Sequence, residues 1–283
     1  MKTIENSIIS KGAKSYRNPF MIQKVICGLW AIFCIFTCFS HGQNLNELFY
    51  GIGICTVQSR VTSAYPLPTQ APYVVAIDPG HGGMDTGAQS IIDELYLCET
   101  TAKYLYDFLD KDQNFSPFYT REWGSDPSSE LRARRADENF SAVLISIHGN
   151  YDGSSRRSHG FECFPTPPGR EYSKKSMDLA LCIASQMEKA GNHLRGENNC
   201  GIRFAYYSGN SKRMAEISDT KVHSQKSFGI IEKPSCPAVL VEQCFITNYN
   251  DVENWGRDDG CKKSAQVYYK ALCRYFSTQP KGE

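Results

Sequence analysis

Three short apolar runs, broken only by Ser146, constrain this chain more than any other feature. They are Tyr73–Ile77, Ala142–Ile147 and Pro237–Val241. Short apolar runs without alternation suit strands buried on both faces, as in parallel sheets. Amphipathic stretches separate them. Over 94–110, Cys98, Ala102, Leu105 and Leu109 recur one helical turn apart; over 171–190, Met177, Leu181 and Ile183–Ala184 do so before Gly191. Further helices are expected at 129–138 and 260–276, and further strands at 118–120 and 160–164. Strands alternating with helices predict an α/β domain of three layers: one sheet, mostly parallel or mixed, with helices on both faces.

Lys+Arg total 31 against Asp+Glu 30, and charged residues make up 22%. Such a balance excludes a basic coat for nucleic acid and a disordered polyelectrolyte. The polar and mostly basic segment 1–20 and Lys24 precede an uncharged run, Val25–Phe39. At about 15 residues that run is short for a membrane span of ~20 and suits the apolar region of a secretory signal. Ser40-His41-Gly42 offers a cleavage site, and Met21 an alternative start. The expectation is an exported protein, periplasmic or held at the cell envelope, that meets the membrane only through residues 1–42. Residues 43–72 read as a Pro-bearing lead-in and 73–278 as the main folded domain. Beyond residue 42 nine cysteines remain, an odd number that cannot all pair within one chain. No C-x-x-C pair is present, and several cysteines occupy apolar positions, where a thiol acts as a small hydrophobe.

In open α/β sheets, sites form beyond the carboxyl ends of the strands. Here three strand ends carry the most chemically capable residues: Asp78-Pro79-Gly80-His81-Gly82-Gly83, Ser146-Ile147-His148-Gly149-Asn150 and Val241-Glu242-Gln243. Glu94 opens the first helix. Two histidines and a carboxylate suit a catalytic zinc, and a further carboxylate can move the protons of hydrolysis. Each has a plainer reading, as a turn cap, a core histidine or a carboxylate at a helix start. Glu242 resists this treatment, because an unpaired carboxylate after Ala-Val-Leu-Val in a buried strand is costly. No GxGxxG, HExxH or GxSxG occurs.

In order and spacing, IDPGHGGMDTGA (77–88), Glu94, LRARRADEN (131–139), LISIHGN (144–150), GFECF (160–164) and PAVLVEQCFITNYND (237–251) resemble the zinc-dependent N-acetylmuramoyl-L-alanine amidases of the AmiC-like type. The resemblance spans about 73–275. It implies zinc (Zn2+) on His81, Glu94 and His148, with Glu242 as the catalytic base. Glu99, Asp93 and Asp85 are the other carboxylates that a local gap could bring to the place of Glu94. The reaction implied is hydrolysis of the amide between the lactyl group of N-acetylmuramic acid and L-alanine of the stem peptide. The partner implied is peptidoglycan, in daughter-cell separation. The alternatives are a non-catalytic peptidoglycan-binding module and a zinc peptidase on stem peptides. Asn150 and Arg134 or Arg135 are expected to orient neighbouring groups. Two positions depart from the family pattern: Gly149 replaces an alanine and Cys244 a glycine. Some members carry an inhibitory helix after the strand matching 160–164. Here only Pro165-Thr166-Pro167-Pro168 and a few polar residues precede Ser173, which implies a site open without an activator protein.

Overall fold

The computed structural model describes residues 70–281. The signal assigned to 1–42, most of the lead-in (43–69) and Cys55 lie outside the described residues.

Seven strands and five helices follow in order: β1 (Tyr73–Pro79), α1 (Glu94–Asp110), β2 (Phe115–Tyr119), α2 (Ser129–Glu138), β3 (Val143–Asn150), β4 (Glu162–Pro165), α3 (Ser173–Lys189), β5 (Arg203–Ser208), β6 (Ser211–Glu216), α4 (Gly229–Glu232), β7 (Ala238–Phe245) and α5 (Asp258–Tyr275). A short helical turn, Tyr249–Asp251, runs into one π-helical turn, Val252–Gly256, ahead of α5. Five strands form the main sheet in the order β2-β1-β3-β7-β4. The first four are parallel, and β4 closes the edge antiparallel to β7. β5 and β6 make a separate antiparallel hairpin.

The period-2 geometry of strands sorts their residues between two layers. Val75, Ile77, Val143, Ile145, Val239 and Val241 point into the larger core, which α1, α3 and α5 cover. Ala76, Leu144, Phe164, Ala238 and Leu240 face a smaller core that includes Ala136 of α2 and Ile230 and Ile231 of α4. Helices thus lie on both faces, as the alternation predicts. The helical stripe of α1 buries Leu97, Cys98, Ala102, Leu105 and Leu109. Ser128 accepts a hydrogen bond from the Leu131 N–H and starts α2.

Two departures from expectation have physical causes. β2 begins at Phe115 rather than Phe118 and contains Pro117, which an edge strand tolerates because one side of its backbone is unpaired. The hairpin β5–β6 was not expected. Its outer strand exposes Ser211, Lys212 and Arg213 and offers no apolar run.

The eight described cysteines are all buried. Burial raises the thiols of Cys182 and Cys236 to about 12 and that of Cys261 to about 11, so these pack as inert hydrophobes. Among the described residues no helix is long and apolar enough to cross a membrane.

Candidate metal centre

β1 ends at Pro79, and the chain turns through Gly80-His81-Gly82-Gly83. His81 adopts a left-handed backbone, φ 59°. Non-glycine residues pay for that conformation, and surrounding contacts must hold it. Two arginines do so. Arg132 of α2 donates to the carbonyls of Pro79 (2.8 Å) and His81 (2.6 Å). Arg121, fully buried, donates to those of Pro79 (3.0 Å) and Gly80 (3.3 Å).

The turn delivers His81 to Glu94, the first residue of α1. Glu94 is pinned by backbone donors, with Ala88 N–H at 3.0 Å on Oε2 and Gly149 N–H at 3.2 Å on Oε1. His148 completes the group from the end of β3, its Nδ1 3.1 Å from Glu94 Oε1. His81, Glu94 and His148 each contribute an atom to a cluster whose members lie within 4.8 Å of one another. The imidazoles meet edge to face, centroids 4.9 Å apart.

Several observations fit a metal ion here. His81 Nε2 is buried and 2.9 Å from Glu94 Oε1, yet out of line for a hydrogen bond to it. On the other side of the ring, Asp85 engages Nδ1 at 2.9 Å. A carboxylate at Nδ1 fixes the tautomer that leaves the Nε2 lone pair for a ligand. Two glycines keep the cradle open. A Cβ on Gly80 would fall 2.5 Å from His148 Cε1, and one on Gly87 2.7 Å from His81 Cδ2 and 2.8 Å from Glu94 Oε2.

The cluster concentrates charge. Burial opposes ionisation of His81, but the Glu94 and Asp85 carboxylates outweigh it and raise the imidazole to about 9. Burial likewise opposes the Glu94 carboxylate, and the two histidines overcome it and hold the group well below the usual range. The metal-free site therefore keeps a proton that a cation would displace.

Glu242 stands beside His148 in the parallel register of β3 and β7. It is half-buried, and its Oε2 is enclosed without a hydrogen-bond partner. Burial, reinforced by the charges of Glu94 and Glu162 and opposed by His148 and Lys212, pushes it up to about 7. A carboxyl near neutrality can both take and return a proton at physiological pH.

The other expected residues fall as follows. Glu99 turns away from the cluster to pair with Arg121 at 2.9 Å. Asp93 sits at the N-cap of α1, and Asp85 supports His81 from outside the donor set. Asn150 reaches the site's margin, where its amide donates to Glu162 at 2.7 Å. Arg134 instead points to solvent beside Glu138, and Arg135 donates to the Thr120 carbonyl. Arg132 of the same helix is the one that reaches the β1 turn.

Sequence reasoning passed over Glu162. It is buried, faces Glu242 in the β4–β7 ladder, and is held by Arg203 (2.9 Å) and Arg195 (3.1 Å). Its signal was present. An acid within Phe161–Phe164 is as costly as one after Ala-Val-Leu-Val.

The family model for N-acetylmuramoyl-L-alanine amidase matches residues 75–274. Similar curated proteins include the probable amidase AmiB of Haemophilus influenzae, 27% identical over 236 residues, and the amidase AmiC of Escherichia coli, 24% identical over 228. These alignments cover 73% and 71% of this chain but 53% of each relative, so the chain spans about half the length of both. Among solved structures, the catalytic domain of CwlV from Bacillus (Paenibacillus) polymyxa matches with TM-score 0.57 at 24% identity, covering 73% of this chain and 99% of that one. An amidase from Clostridium difficile matches with TM-score 0.58 at 23% identity, covering 74% and 98%. The structural likeness carries the fold, and the family model carries the kinship: the chain belongs to the N-acetylmuramoyl-L-alanine amidase family.

Proposed function

We propose that this protein is a zinc-dependent peptidoglycan hydrolase that cleaves the amide between the lactyl group of N-acetylmuramic acid and L-alanine of the stem peptide. The observation that carries the reading is the convergence of His81, Glu94 and His148 beside a carboxyl, Glu242, left without a partner.

His81, Glu94 and His148 would hold the ion, a two-histidine, one-carboxylate set that leaves a position open. When bound, zinc supplies Lewis acidity, polarising a carbonyl and making water nucleophilic near neutral pH. Glu242 accepts the proton of the attacking water and returns it to the alanine nitrogen as the C–N bond breaks. Asp85 keeps the His81 ring in the ligating tautomer. Residues 73–278 would form the catalytic unit. The substrate lies outside the membrane, and the basic segment followed by the apolar run 25–39 would direct the chain to the envelope.

The test is digestion of purified sacculi by the protein, with and without a chelator, read by mass spectrometry. The reading predicts free stem peptides beginning at L-alanine, lost on chelation and restored by zinc. Cleavage within the stem would make the protein a peptidase instead, and binding without product a non-catalytic module.

A further inference from the structure

One face of the hairpin β5–β6 carries groups that this chemistry leaves unused. Tyr207 and Lys212 oppose each other in its ladder, so their side chains leave the same face. Lys212 Nζ lies 4.9 Å from the ring centre of Phe228 and 5.9 Å from that of Phe164. The Tyr207 ring meets Phe228 edge-on at 5.6 Å, and Phe228 meets Phe164 in the same manner at 5.5 Å. Phe164 fixes where this assembly stands. In the β4–β7 ladder it opposes Leu240, while Glu162 opposes Glu242. Strand residues two apart share a face and are spaced about 7 Å. The ammonium therefore lies over the sheet face that carries Glu242, next to its row.

Three features mark this group as a receptor for an anion. Lys212 is exposed and forms no ion pair with a described carboxylate. Aromatic faces hold an ammonium in place without neutralising it. Glu162, the acid nearest in the ladder, is already engaged by Arg203, Arg195 and Asn150. The electrostatics agree, since Lys212 draws Glu242 downward against burial, and burial followed by the Glu242 charge raises the Tyr207 hydroxyl.

We infer that Lys212 and Tyr207 form a specificity subsite for a carboxylate on the leaving side of the substrate, the free α-carboxylate of an acidic second residue in the stem peptide. The inference rests on the function proposed above and deepens it. Glu242 returns its proton to the departing nitrogen, so the peptide lies on the side of β7 and β4, where the hairpin stands. A second-position glutamate joined through its side chain presents its α-carboxylate one residue beyond the cleaved bond, and amidation removes that charge.

The experiment compares two sacculus preparations that differ in whether the second stem residue is D-glutamate or D-isoglutamine. The wild-type protein should release stems from the acidic preparation about fivefold faster at limiting substrate, the scale of one partly exposed ion pair, with similar rates at saturation. Lys212→Met should lose this preference by slowing only on the acidic substrate, and Lys212→Arg should keep it. Equal wild-type rates, or a Lys212→Met loss equal on both preparations, would overturn the subsite while leaving the amidase reading intact. Release from neither preparation would defeat the amidase reading, and the subsite with it.

Discussion

Asp78 and Glu242 are carboxylates on one face of the sheet, near the carboxyl ends of β1 and β7 with β3 between them. The chain treats them in opposite ways. Asp78 accepts hydrogen bonds from the hydroxyls of Thr120 and Ser146 and from Arg132 at 3.3 Å, and its side chain is 3% exposed. Glu242 keeps one enclosed oxygen unpartnered. A buried charge costs little once its lone pairs are filled, and much when they are not. Asp78 thus belongs to the frame that anchors Arg132 and, through it, the His81 turn. Glu242 has no such set of donors, as the proposed proton carrier requires. The two differ in the donors around them: three for Asp78, none on the enclosed oxygen of Glu242.

The largest effect should come from breaking the frame. Asp78→Ala leaves buried Arg132 with only the half-exposed Asp126 carboxylate, 3.1 Å away, to offset its charge. Removing one partner of a buried pair costs about 3–5 kcal/mol, and chemical denaturation should show a loss of that size. A loss of a few tenths would mean that the Thr120–Ser146–Arg132 network is incidental.

The cradle can be perturbed without touching a donor. Gly87→Ala would press a methyl against both His81 and Glu94 at a backbone φ of 64°. Zinc affinity, measured by competition with a chelating dye, should fall about 10–100-fold, the scale of supporting-residue losses. An unchanged affinity would detach these two residues from the metal.

A subtler contrast is in pH. The folded value of Glu242, about 7, lies above its ordinary 4.5. The folded state therefore binds this proton more tightly than the unfolded chain. That contribution to stability is complete below about 4.5 and is lost as pH rises through 7. Glutamine does not titrate. In metal-free protein, the stability of Glu242→Gln relative to wild type should climb between pH 4.5 and 7 and then level off. A flat difference would show that Glu242 finds a partner in solution.

Much of this was legible because buried parallel strands leave continuous apolar runs. β1, β3 and β7 announced themselves, and with them the residues at their ends. What escaped was encoded in other ways. Arg132 hides in LRARR, distinguished from its neighbours only by sharing a helical face with Ala136. The hairpin had a local signal, Gly209-Asn210 between two extended stretches, but no apolar run to point to it. Glu162 depends on Arg195 and Arg203, distant in sequence, and such convergence becomes visible only once β4 and β5 are in place.

The most direct measurement is on Glu242→Gln: zinc content per chain, determined beside stem-peptide release from sacculi. The account predicts one zinc per chain, as in wild type, with turnover reduced about 10²–10⁴-fold, the range for loss of a general acid–base. Near-normal turnover in that variant, or loss of its zinc, would contradict the division of labour between the three donors and the unpartnered carboxyl.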